Sequence, residues 1–123
     1  PREVADMATL RRVETPLDGS GLALWVWEGL TASETGTPVL CGVYPDKAVQ
    51  LLGTFGGNVL IEGSLDPDGV VWATLSDPQG NALSAITAAK VEQVLEHAYL
   101  IRPSAGAGVV DVDVWLLLTT GGR

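Results

Sequence analysis

The chain has one cysteine, one histidine, few cations and no long apolar run, and each shortage excludes something. With Cys41 alone, no intrachain disulfide and no cysteine-based zinc site can form. Neither Cys41 nor His97 lies in a recognisable nucleophile motif, so a packed cysteine and a surface histidine are the plain readings. Seven Lys and Arg stand against fifteen Asp and Glu, a net charge of −8. That charge is repelled by nucleic-acid phosphates and anionic membranes, and it suits solubility or a basic protein partner. No run is long enough for a transmembrane helix. The opening Pro1-Arg2-Glu3-Val4-Ala5-Asp6 lacks a basic start and apolar stretch, so the expectation is a cytoplasmically made protein without a signal peptide.

What is abundant is turn chemistry. Fifteen Gly and seven Pro in 123 residues are hard to place in helices and natural between short strands. Nearly half the residues are apolar, enough for one hydrophobic core. Residues 1–21 stand apart: they carry Arg2, Arg11 and Arg12 and end in Leu17-Asp18-Gly19-Ser20-Gly21, which reads as a flexible joint. Val4, Met7, Leu10 and Val13 recur every three residues, so a short helix fits; an arm that orders on a partner is the preferred reading. The chain thus divides into an arm, 1–21, and a domain, 22–123.

From Leu22 onward the strand signals follow one another. Leu22–Glu28 alternates with both faces apolar: Leu22, Leu24 and Val26 on one, Ala23, Trp25 and Trp27 on the other. Such a strand is either central or turns its tryptophan face to another chain. Residues 29–46 read as a long loop with a short strand near Val39-Leu40-Cys41. Lys47–Phe55 points Val49, Leu51 and Phe55 inward, and Gly56-Gly57 turns into Asn58–Ser64. Asp66-Pro67-Asp68-Gly69 is a turn in which Pro fixes φ and Gly supplies positive φ. Val70–Leu75 reads as a strand, and Asp77–Asn81 turns again. Residues 87–98 fit a helix through Val91, Val94, Leu95 and Ala98, and fit a strand by alternation. Val109–Thr119 is the clearest strand, with Val110, Val112, Val114, Leu116 and Leu118 on one face. The whole predicts an all-β, jelly-roll-like β-sandwich of seven or eight antiparallel strands.

The acidic pairs Asp66/Asp68 and Asp111/Asp113 resemble oxygen ligands, but no calcium-loop spacing accompanies them and the turn needs no metal. No carboxylate pair is selected for glycoside hydrolysis, and Gly53–Gly57 is not a phosphate loop. The sequence therefore predicts no cofactor, no metal and no enzyme activity. Trp25, Trp27, Trp72 and Trp115 are many for so small a domain. Buried, they fill a core; exposed, they suit a protein interface or a sugar-stacking platform.

Several stretches together form a series: Tyr44–Gln50, Gly53–Gly57, Val59–Ser64, Trp72–Leu75, Asp77–Leu83 and Tyr99–Pro103. This series resembles the cement, or decoration, proteins of tailed bacteriophages over residues 22–119. The resemblance implies a jelly-roll-like domain on the outer capsid surface of the virion, clamping neighbouring major capsid protein subunits as a homodimer or homotrimer. It also favours a strand over residues 90–95. Leu65-Asp66-Pro67-Asp68 departs from the expected polar turn, and residues 1–21 match nothing in the family. The expected contact residues are Arg2, Arg11 and Arg12 in the arm, with Trp25 and Trp27. The alternatives are a carbohydrate-binding module using Trp platforms and another virion component such as a tail protein.

Overall fold

In a computed structural model, residues 8–16 and 21–120 are described. Among them there is no helix, and hence none long and apolar enough to cross a membrane. The strands are β1 (Thr9–Val13), β2 (Leu22–Leu30), β3 (Val39–Leu40), β4 (Asp46–Thr54), β5 (Val59–Ser64), β6 (Ala73–Thr74), β7 (Lys90–Val94), β8 (Leu100–Ala105) and β9 (Asp111–Thr119). They form two antiparallel sheets, ordered β1-β2-β9-β4-β7 and β3-β8-β5-β6. This is the expected all-β, jelly-roll-like sandwich.

Period-two alternation builds the core. On β9, Val112, Val114, Leu116 and Leu118 are fully buried, while Asp113, Trp115, Leu117 and Thr119 point outward. On β4, Lys47, Val49 and Leu51 point inward, and the chain then crosses between sheets through Gly56-Gly57. Gly56 has a φ of 66°, and a Cβ there would sit 2.5 Å from the Gly108 carbonyl oxygen, so the crossing requires glycine.

The ambiguous stretch 87–98 contains a strand. Lys90–Val94 pairs with Leu51–Lys47 of β4, which turns Val94 into the core and Val91 out to solvent. The helical spacing in the sequence arises because Val91 and Leu95 are both exposed. The segment read as Val70–Leu75 shortens to Ala73–Thr74, because Asp66 draws the backbone before it into a loop.

Within the stretch read as an arm, Thr9–Val13 is the edge strand of the larger sheet, paired with Leu24–Glu28. Leu10 packs against the core. Residues 1–7 and the joint at 17–20 lie outside the described residues.

Candidate functional site

The most exposed apolar cluster lies on the outer side of the smaller sheet, on the loop joining β5 to β6. Ser64 closes β5, and its hydroxyl accepts the Asp66 N–H at 2.9 Å. The Asp66 carboxylate then organises the next five residues, accepting the N–H groups of Asp68 at 3.0 Å, Val70 at 2.9 Å and Val71 at 3.4 Å. These backbone donors, Val70 first, hold its carboxyl below the ordinary carboxylate value. The Asp66 carbonyl accepts the Gly69 N–H at 2.9 Å. The Trp72 indole N–H donates to the Gly69 carbonyl at 2.7 Å. The Arg102 guanidinium lies 4.0 Å from the centre of the Trp72 ring, and its Nε donates to Glu62 at 2.9 Å.

A loop fixed at both ends in this way cannot fold its apolar side chains inward. Leu65, Val70 and Val71 stand 77%, 75% and 70% exposed. Beside them lies an open depression of about 320 Å³, lined by Leu65, Val71, Trp72, Leu75, His97 and Ala98. His97 Nε2 meets the Gly42 carbonyl at 2.8 Å; a carbonyl only accepts, so this nitrogen carries the proton. Leu40, on β3 of the same sheet, is also exposed.

The cations of the described residues are engaged within the chain. Arg11 pairs with Glu28 at 2.9 Å, Lys90 with Glu92 at 2.7 Å and Arg102 with Glu62 at 2.9 Å. Arg12 lies 5.8 Å from the Trp25 ring centre, and Lys47 is buried. The excess charge presented outward is therefore acidic.

The contact residues expected from sequence are not part of this cluster. Arg2 lies outside the described residues. Arg11 and Arg12 sit on β1, and Trp25 and Trp27 on β2, in the other sheet. Trp27 is only 1% exposed, with its N–H donated to the Thr37 carbonyl at 2.7 Å, so it is a core residue and not an exposed anchor. Trp25 packs against the same core. The strand's tryptophan face points inward; its Leu22, Leu24 and Val26 face points out. Sequence reasoning missed Leu65, Val70 and Val71. The available signal was an Asp-Pro-Asp-Gly turn flanked on both sides by apolar residues, which a turn on the surface does not need.

The acidic pairs do not converge on a cation site: among the described residues no three His, Cys, Asp or Glu side chains gather. Asp113 instead accepts the Gly29 N–H at 3.0 Å.

No protein-family model and no curated protein matches the chain. Solved structures do. A protein derived from the SPBc2 prophage, YomS, superposes with a TM-score of 0.62 at 12% identity, over 86% of this chain and 96% of that one. An RmlC-like cupin protein from Desulfovibrio desulfuricans gives 0.54 at 9% identity, over 98% and 89%. Oxalate oxidase in complex with glycolate gives 0.55 at 8% identity, over 96% of this chain; the match spans 54% of the oxidase. At these identities the likeness is one of fold. It corrects the expectation that the chain is not an enzyme: the fold is one that enzymes use, so fold class gives no ground for excluding catalysis.

Proposed function

We propose that the chain is a virion structural protein of a bacteriophage that decorates the capsid and clamps neighbouring major capsid protein subunits from outside. The observation that carries this reading is the 65–72 loop. It holds three apolar side chains in water on a backbone already ordered by Asp66, an arrangement with no benefit to the isolated domain and a clear one for docking. Little conformational entropy remains to be lost when such a surface is covered.

The acidic exterior adds steering toward a basic partner surface. Repetition does the rest: a clamp used at many equivalent joints of a shell stabilises it even where each contact is modest. The prophage origin of YomS is consistent with a phage setting. Under this reading Arg2, Arg11 and Arg12 belong to the secondary contacts, with Arg11 first having to exchange Glu28 for a partner carboxylate.

The test is sedimentation of the purified protein with undecorated capsids of its own phage. Saturable binding that raises the heat resistance of the capsid is the expected result. Absence of binding, with a tryptophan fluorescence change on adding a simple glycan, would instead support the sugar-binding alternative.

A further inference from the structure

We propose that the outer face of the five-stranded sheet is a self-association surface that receives a second copy of this chain. The inference does not rest on the capsid reading. An antiparallel sheet with one face on the core ordinarily presents polar side chains on the other. Here the outward positions at the middle of the three central strands are mostly apolar, and the polar and acidic ones, Glu28, Asp46, Asp111, Asp113 and Thr119, lie toward the strand ends. Register places Leu24 beside Leu117 and Ala48, and Val26 beside Trp115 and Gln50, with Val91 next in line on β7. Val26 is fully buried although it points outward, and Val91 is 64% exposed. A shallow depression of about 280 Å³ runs between Leu24, Ala48, Gln50, Val91, Trp115 and Leu117.

Charge selects the occupant. At −8, two copies repel each other over most of their surface. The centre of this face carries no charged side chain, and the Arg11–Glu28 pair on its flank is internally neutralised. A basic partner would gain little electrostatically from this uncharged centre, whereas a second acidic copy meets least repulsion here, with the carboxylates of Asp46, Asp111 and Asp113 set toward the strand ends. Position supports the same occupant. β9 is the middle strand of five, so a two-fold axis passing near Trp115 and Leu117 brings the same strip of each copy together. Such an isologous contact is the commonest route to a homodimer. The two sheets would then pack face to face, with Trp115 and Leu117 at the most desolvated centre.

The test is the mass of the purified full chain by analytical ultracentrifugation, for the wild type, Ala48→Glu and Val91→Glu. Both substitutions lie on the outer face, and circular dichroism checks that each variant keeps its fold. The expected result is a wild-type dimer that tightens as salt screens the repulsion between the acidic copies. Each folded variant should dissociate at least tenfold more readily. A wild-type monomer at every concentration would overturn the proposal, as would a trimer or a dimer indifferent to both substitutions. If Val70→Ser with Val71→Ser abolishes the dimer instead, the self-association surface is the loop and the proposal fails, while the capsid-binding test stands unaffected.

Discussion

Lys47 and Cys41 are the residues whose burial most affects how the domain responds to its surroundings. Lys47 points into the sandwich, 2% exposed, with its Nζ donating to the Pro45 carbonyl at 3.2 Å. Burial lowers its ammonium below the ordinary 10.5. Cys41 is fully buried, its thiol donating to the Ala98 carbonyl, and burial pushes it from 9.0 up to about 11. The two act in opposite directions in alkali. As pH climbs, the unfolded chain retains the Lys47 proton longer than the fold does, so this group adds stability with rising pH. Cys41 does the reverse: unfolded thiol ionises from 9.0 while folded thiol waits until about 11, so its contribution is lost across that interval. Lys47→Met should therefore raise stability at neutral pH by about 1 kcal/mol or more, since it removes a buried charge. It should also make the fall in urea midpoint from pH 9 to pH 11 steeper than in the wild type. A destabilised variant, or an unchanged slope, would show that burial of the Lys47 ammonium does not act in this way.

Trp27 shows the same scale from the apolar side. Its indole fills the core, and Gly36 lies so close that a Cβ there would meet the ring at 2.5 Å. Trp27→Ala should cost about 3–5 kcal/mol in chemical denaturation. A loss within a few tenths of a kcal/mol would mean that the ring is not the core residue described here.

At the scale of elements, the loop between β5 and β6 depends on one ionised carboxyl. Asp66 is held below its ordinary value of 3.8 by its backbone donors. The stability it gives the loop is present above that ordinary value and is lost as pH falls through the lower folded one. In an NMR titration the amide signals of Asp68, Val70 and Val71 should move together, with an apparent midpoint below 3.8. In Asp66→Ala they should broaden or shift toward unstructured positions while the β9 signals stay in place. Amides that titrate independently would show that the carboxylate does not organise the loop.

The elements also differ in how far they were legible in the sequence. β9 was readable because it buries alternate residues over all nine positions, and β4 because it does so over Lys47–Leu51, so local pattern and tertiary environment agree there. β7 was ambiguous because it is an edge strand: its exposed Val91 adds an apolar position that mimics a helical face. The direction in which Trp25 and Trp27 point could not be decided from β2 alone. Both of its faces are apolar, and the choice depends on which sheet it joins and on pairing with β1 and β9. The exposed loop was hidden for a related reason. Val70 and Val71 have strong strand propensity, and only the side chain of Asp66 bonding to their N–H groups removes them from a ladder.

For the whole molecule, the sandwich presents apolar surface on both of its outer sides. The smaller sheet carries the Leu65, Val70 and Val71 loop, and the larger sheet carries the strip around Trp115 and Leu117. Under the proposed function these two sides would face other protein surfaces, while the acidic exterior opposes non-specific association. Docking through the loop is tested by the affinity for undecorated capsids of the wild type and of the Val70→Ser, Val71→Ser double variant, measured by quantitative co-sedimentation. Both positions are exposed, so the variant should keep its fold and its thermal midpoint. If the loop is the docking surface, the double variant binds at least tenfold more weakly and gives the capsid no protection against heat. Wild-type affinity in the folded double variant would show that the capsid is not held through this loop.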